Sequence, residues 1–297
     1  MSNHVIKDYV YHFSAKNKPA LNVEAGETVT LETLDCFSGQ IQSAEDEFES
    51  IDFGRVNPAT GPVYVEGAEA GDLLVVDILD VKIADQGVAI NGSQMGPLQD
   101  KVKGQPKMLE VKDGMVTFND IKFPVNPMIG VIGVAPAEGE ISCGFPGDHG
   151  GNLDNKKITT GSKLYLPVNV PGALFQCGDL HAAMGDGEIS GAGLEVAGSV
   201  KVKLDVIKGF FSERPIVETE DRWYTIASAE EFNDALYLVT SDMQQLLMKS
   251  YNWNATDAAI YMSLQGDVEV CQSCKPSAID IILRFGVPKI EGKPLVK

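Results

Sequence analysis

The feature that most constrains the fold is punctuation. Up to about residue 210, short apolar runs alternate with Gly, Pro, Asn and Asp, and no run is long enough for a typical helix. Such a pattern predicts many short strands. Clear examples are 29–34, 71–79, 130–134 and 196–207. In the last, Val200, Val202, Leu204 and Val206 fall on one face by period-two alternation, while Lys201, Lys203 and Asp205 take the other. One side of that strand therefore packs inward and the other meets water. The 30 glycines supply turns on the scale this requires. Ala25-Gly26-Glu27 and Ala70-Gly71-Asp72 each place Gly before an acid and an apolar run, which predicts a tight turn with a left-handed glycine. Cys177-Gly178-Asp179 repeats the order.

The character changes near residue 210. Ser228-Ala229-Glu230-Glu231 has capping-box spacing, with Ser228 as expected N-cap. Phe232, Ala235, Leu236, Val239, Met243, Leu246 and Leu247 follow at helical spacing, the stripe of a core-facing helix. Thr256-Asp257 is expected to cap a second, shorter helix running to Leu264, and 268–270 and 279–285 read as strands. The expected architecture is mainly β over 1–210, followed by an α+β portion over 211–297 that either stands alone or completes the same unit. The acid-rich stretch 44–52, with Glu45, Asp46, Glu47, Glu49 and Asp52, reads as a solvated loop.

Charge narrows the partners. The 24 basic and 42 acidic residues leave a net charge of −18 (24 − 42). Such a chain repels nucleic-acid phosphates and anionic membranes and favours cations. Five cysteines, Cys36, Cys143, Cys177, Cys271 and Cys274, are too few and odd in number for a disulfide framework. The N-terminus lacks the apolar core of a signal peptide, and no apolar run reaches the length of a membrane helix. The cytoplasm is the expected compartment.

Two of the four histidines sit in the densest polar and glycine-rich segments, Gly147-Asp148-His149-Gly150-Gly151-Asn152-Leu153-Asp154 and Gly178-Asp179-Leu180-His181-Ala182-Ala183-Met184-Gly185-Asp186-Gly187-Glu188. In extended backbone Asp179 and His181 share a face, and the Gly185-Asp186-Gly187 turn can return Glu188 to it. Imidazole with carboxylate suits Zn²⁺, or a hard cation such as Ca²⁺ where oxygen dominates. Gly-Asp-Gly is also an ordinary turn, so the pattern gains weight only from both histidines sharing it. Cys271 and Cys274 have metal-ligand spacing but lack a second pair, and are expected to pack as small apolar residues. Cys36 could serve as a nucleophile, but no paired base is evident. Neither a Gly-x-Ser-x-Gly elbow nor a phosphate-binding glycine loop is present.

Taken in order, these motifs resemble the acetamidase/formamidase family, from about residue 9 to 290. The resemblance is carried by Glu32-Thr33-Leu34-Asp35-Cys36-Phe37-Ser38-Gly39-Gln40-Ile41, by Asn57-Pro58-Ala59-Thr60-Gly61-Pro62-Val63-Tyr64-Val65-Glu66-Gly67-Ala68, and by the two histidine segments. It implies a jelly-roll-like β-sandwich core, a metal centre, self-association into a dimer or higher homo-oligomer, and hydrolysis of short linear amides such as formamide or acetamide with release of ammonia. Within that frame we assign His149 and His181 as imidazole ligands, Asp35 and Asp179 as carboxylate ligands, and Asp148 as a further ligand or an orienting group. Glu188 is assigned as the catalytic base. Asn57 and Thr60 contact the substrate or hold their loop. The alternative from another class is a β-sandwich that binds metal or a small amide without catalysis.

Overall fold

A computed structural model describes residues 3–47, 50–91 and 95–297. Glu49 of the acidic loop lies outside them; Glu45, Glu47 and Asp52 face solvent and Asp46 is half-buried.

Among the described residues, one nine-stranded sheet runs in the order Asn3–Ile6, Thr28–Thr33, Gly198–Ile207, Leu73–Ile83, Lys163–Pro167, Ile216–Glu218, Arg222–Ala229, Ile281–Pro288, Asp267–Gln272. The predicted alternation holds: Val200, Val202 and Leu204 are buried, whereas Lys203 and Asp205 are exposed. The strands after residue 210 continue this sheet outward from Lys163–Pro167. A second, larger sheet is centred on Phe175–His181, which lies between Met128–Gly133 on one side and Ala59–Val65 and Leu194–Val196 on the other.

The inner faces of the two sheets form one apolar core. Leu31, Leu74, Val202 and Leu204 of the first meet Ile129, Ile132, Phe175 and Leu180 of the second. Complete burial of each such side chain contributes roughly 1.5–3 kcal/mol. The fold is thus mainly β, built of stacked sheets, with the helical portion late in the chain.

Helix α1 (Phe232–Tyr251) buries Ala235, Val239, Met243, Leu246 and Leu247 in a second core with Trp223, Leu283, Phe285 and Val287 of the first sheet. The stripe is therefore as predicted, apart from Phe232, which is exposed. The cap differs. Ser228 lies in the Arg222–Ala229 strand opposite Ile282, and the helix starts after Glu231, which makes no side-chain cap. The ladder with Ile281–Pro288 runs through Ala229, so cross-strand bonds claim the backbone that a capping box would need. Helix α2 (Ala255–Gln265) is capped by Asn254, whose side chain accepts from the Asp257 N–H at 2.9 Å, rather than by Thr256 or Asp257. Among the described residues no helix is long and apolar enough to cross a membrane.

Gly26 and Gly71 take φ of 92° and 95°, as their turns require. Gly178 does not. It lies within a strand, and a Cβ there would sit 2.1 Å from the Pro58 carbonyl oxygen, so close approach explains the glycine.

Candidate active site

The Phe175–His181 strand changes neighbour midway. Phe175 to Gly178 pair with Ala59–Val65, whereas Leu180 and His181 pair with Leu194–Val196. Asp179 stands at the changeover with φ of 56°, a left-handed backbone unusual inside a strand. Its carboxylate nevertheless reaches the His181 ring, with Oδ1 3.6 Å from Nε2. The two side chains meet through this kink rather than through regular alternation.

Register supplies the next group. Glu195 is the cross-strand partner of His181, and its Oε2 lies 3.2 Å from Nε2. Asp154 arrives from the opposite side. Its N–H bonds to the Gly130 carbonyl, and its Oδ1 lies 3.7 Å from His181 Nε2. Glu188 returns through the 185–187 turn. Ligand atoms of Asp154, His181 and Glu188 all lie within 4.8 Å of one another, as do those of Cys36, Asp179 and Glu195. All these side chains are buried.

Room for the groups comes from missing side chains. A Cβ on Gly130 would lie 2.7 Å from Asp154 Oδ1 and 2.8 Å from Asp179 Oδ2. One on Gly193 would lie 2.7 Å from His181 Nδ1. Backbone conformation also marks the site. Asn57, Asp154, Asp179 and Glu188 are four of the ten non-glycine residues with positive φ among those described. Such conformations are costly and concentrate where function demands a particular geometry.

The electrostatics follow from burial. Four carboxylates surround one imidazole in a buried cluster. Burial raises the Asp154 and Glu188 carboxyls, with mutual repulsion adding to Asp154, and pushes Glu195 to about 8. Burial opposes charge on His181, but Glu195 and Asp179 outweigh it and hold the ring well above the usual histidine range. Cys36 is pushed far up by burial, then by Glu195 and Asp179, which makes it a poor thiolate nucleophile. Glu188 also lines a cavity of about 1020 Å³, walled in part by Leu109, Phe118, Phe123, Met184 and Ile189.

Comparison with known proteins identifies the family of the chain. The model of the Acetamidase/Formamidase family matches residues 11–142 and 144–277. This chain is a member of that family. A solved structure described as a predicted acetamidase/formamidase of Thermoanaerobacter tengcongensis is 44% identical, with a TM-score of 0.93, covering 96% of this chain and 95% of that one. The acetamidase of Bacillus halodurans is 41% identical with a TM-score of 0.92, covering 96% and 97% respectively. The formamidase of Methylophilus methylotrophus is 29% identical over 247 residues, 63% of this chain and 61% of that protein. The chain matches about 61–64% of the length of the curated relatives.

Within this acetamidase/formamidase fold, the residues singled out from the sequence separate. Asp179, His181 and Glu188 come together. Asn57 joins them, its Nδ2 donating to Asp179 Oδ2 at 2.9 Å. Thr60 donates its hydroxyl to the Glu32 carbonyl at 2.8 Å and thereby ties two strands. Asp35 accepts N–H bonds from Phe37 and Gly39, shaping the turn that carries Cys36. Asp148 is exposed and paired with Arg214 at 2.9 Å. His149 is buried edge-on to Phe13 with ring centroids 4.8 Å apart, and burial pushes its pKa down to about 4. Asp35, Asp148 and His149 belong to neither ligand group among the described residues. Sequence reasoning missed Asp154, Glu195 and Gln272 as site residues. Asp154 ends the first histidine segment and Glu195 is an acid between buried apolar neighbours, which are usable signals; Gln272 carries none.

Proposed function

We propose that the chain hydrolyses the C–N bond of short linear amides of the formamide and acetamide type, giving the carboxylate and ammonia. The observation that carries this reading is the buried Asp154, His181 and Glu188 group, meeting a cavity at Glu188. The relatives named as formamidase and acetamidase support it.

The donor set fits a divalent cation. Asp154 Oδ1, Asp179 Oδ1 and Glu195 Oε2 are buried without a hydrogen-bond partner among the described residues, and His181 Nε2 faces all three. Buried carboxylates in this number call for positive charge. Asp154, Asp179, Glu195 and His181 would hold the ion. Zn²⁺ is the first candidate; Ca²⁺ is the second, favoured by the oxygen-rich set. A bound cation would polarise the amide carbonyl and make a nearby water more acidic.

The remaining steps belong to the chain. Glu188 stands between cavity and cluster, where burial makes its carboxylate more basic than usual. It takes a proton from water as the oxygen bonds to the carbonyl carbon. It then gives that proton to the nitrogen as the C–N bond breaks, so ammonia leaves neutral. Asn57 holds Asp179 in place by its amide N–H. The deciding experiment is ammonia release from formamide and acetamide by purified protein, before and after chelation and after readdition of Zn²⁺ or Ca²⁺. We expect release that chelation abolishes. Cation binding with no ammonia release would favour a non-catalytic binding protein, and full activity in metal-stripped protein would remove the cation from the mechanism.

A further inference from the structure

The C-terminal portion reaches this site with the side chain of Gln272. The ladder between Asp267–Gln272 and Ile281–Pro288 shifts register between Val270 and Gln272. A shift of this kind re-aims a side chain, and Gln272 is 2% exposed. Its backbone is docked on the turn that carries Glu188. The Gly187 N–H donates to the Cys271 carbonyl at 3.0 Å, and the Ser273 N–H donates to the Gly187 carbonyl at 2.8 Å. Gly187 thus brackets Gln272 one residue before Glu188.

The side chain completes the connection. Gln272 Nε2 donates to Asp154 Oδ2 at 2.7 Å and also to Glu188 Oε2. An amide nitrogen has two hydrogens, so each carboxylate receives one. Two carboxylates this close repel each other, and something must fix their separation. Lysine or arginine would do so by cancelling charge that the cluster needs for a cation. A carboxamide does it while remaining neutral. Arg284, on the adjacent strand, braces the same segments by binding Asp186 at 2.7 Å and Asn155 at 3.0 Å.

We propose that Gln272 is a positioning residue for the reaction, a neutral double donor that sets Asp154 and Glu188 relative to one another. The proposal rests on the amidase reading, and it places part of the machinery in the last third of the chain. Replacing a group that orients metal ligands or their partners typically costs about 10–100-fold in activity or metal affinity.

The test uses the full chain with Gln272→Met, which keeps length and removes both donors, and Gln272→Asn, which keeps the amide but shortens its reach. We expect kcat per folded molecule to fall about 10–100-fold in Gln272→Met, with KM for formamide or acetamide within about threefold. Gln272→Asn should recover none or only part of this loss, because it cannot span both carboxylates. Zn²⁺ binding by calorimetry should weaken about tenfold or more in Gln272→Met. A merely structural role would lower the melting temperature and the folded fraction but leave kcat per folded molecule and Zn²⁺ affinity unchanged, and that result overturns the proposal. If Gln272→Met does not fold, the same measurements on Gln272→Asn decide between the two roles. If the wild-type chain releases no ammonia but binds Zn²⁺, the amidase reading fails and the calorimetric arm still decides the positioning of Asp154 and Glu188. A wild-type chain that does neither overturns both.

Discussion

His149 and His181 are equally hidden, at 2% and 1% exposed, and each sits in a glycine-rich, acid-containing segment. Their surroundings set them apart. His149 meets the edge of Phe13 and the backbones of Gly147 and Gly151, and neither ring nitrogen has a hydrogen-bond partner among the described residues. Burial alone acts on it and favours the neutral ring. His181 faces Asp154, Asp179 and Glu195, and favours the charged ring despite the same burial. A histidine among glycines is therefore not yet a site. What distinguishes the second region is acids converging from separate strands and turns.

Substitution at each ring should break this comparison if it is false. His181→Ala is expected to lower kcat/KM for amide hydrolysis by on the order of 10³-fold or more and to empty the site of cation, as for a group acting as one unit with its neighbours. His149→Leu should leave turnover and metal content, read by mass spectrometry, within about threefold. An empty site in His149→Leu would show that the two rings act together after all.

Glu188→Gln should have the next largest effect and separates base from ligand. It keeps the size and polarity of the side chain but cannot accept the proton. Turnover should drop about 10²-fold or more while the cation stays. Loss of the cation in this variant would make Glu188 a ligand and require another group as base.

The smallest effect concerns stability. Unfolded His149 takes up a proton below about pH 6.5, whereas the folded ring does so only near 4. Its contribution is therefore complete above 6.5 and is lost as pH falls toward 4, at up to about 1.4 kcal/mol per pH unit. His181 runs the other way in the cation-free protein. Its contribution is present below 6.5 and fades as pH rises through its raised value. Thermal melts between pH 4 and 7 should show a shallower acid loss in His149→Leu than in wild type. Parallel curves would mean that the His149 ring is already charged or solvated in the folded chain.

How far the sequence reaches is visible residue by residue. Alternation in 196–207 and the stripe from Ala235 to Leu247 are local patterns, and they translate directly into a buried strand face and helix face. Asp179, His181 and Glu188 are also legible, because they lie within ten residues of one another along the chain. Glu195 meets His181 by cross-strand register, and Gln272 meets Asp154 across 118 residues, so neither contact leaves a local trace. Asp148 and His149 fail to act as a pair for a simple reason. They form the turn between the paired residues Gly147 and Gly150, and there Asp148 faces Arg214 and solvent while His149 turns inward. The kink at Asp179 is not legible either, since it arises where one strand exchanges partners.

Gly130 and Gly193 extend the idea of what constitutes the site. Neither offers a functional group, yet a single methyl at either would fall within 2.7 Å of a carboxylate oxygen or the imidazole ring. The cluster is thus bounded by hydrogen atoms as much as it is furnished by acids. Alanine, ordinarily the mildest of replacements, becomes at these two places a change to the buried cluster itself. Any inventory of chemically active side chains passes over both. The shape of the buried cluster is written in what the chain leaves out, and natural variation at these two positions should be as narrow as at His181.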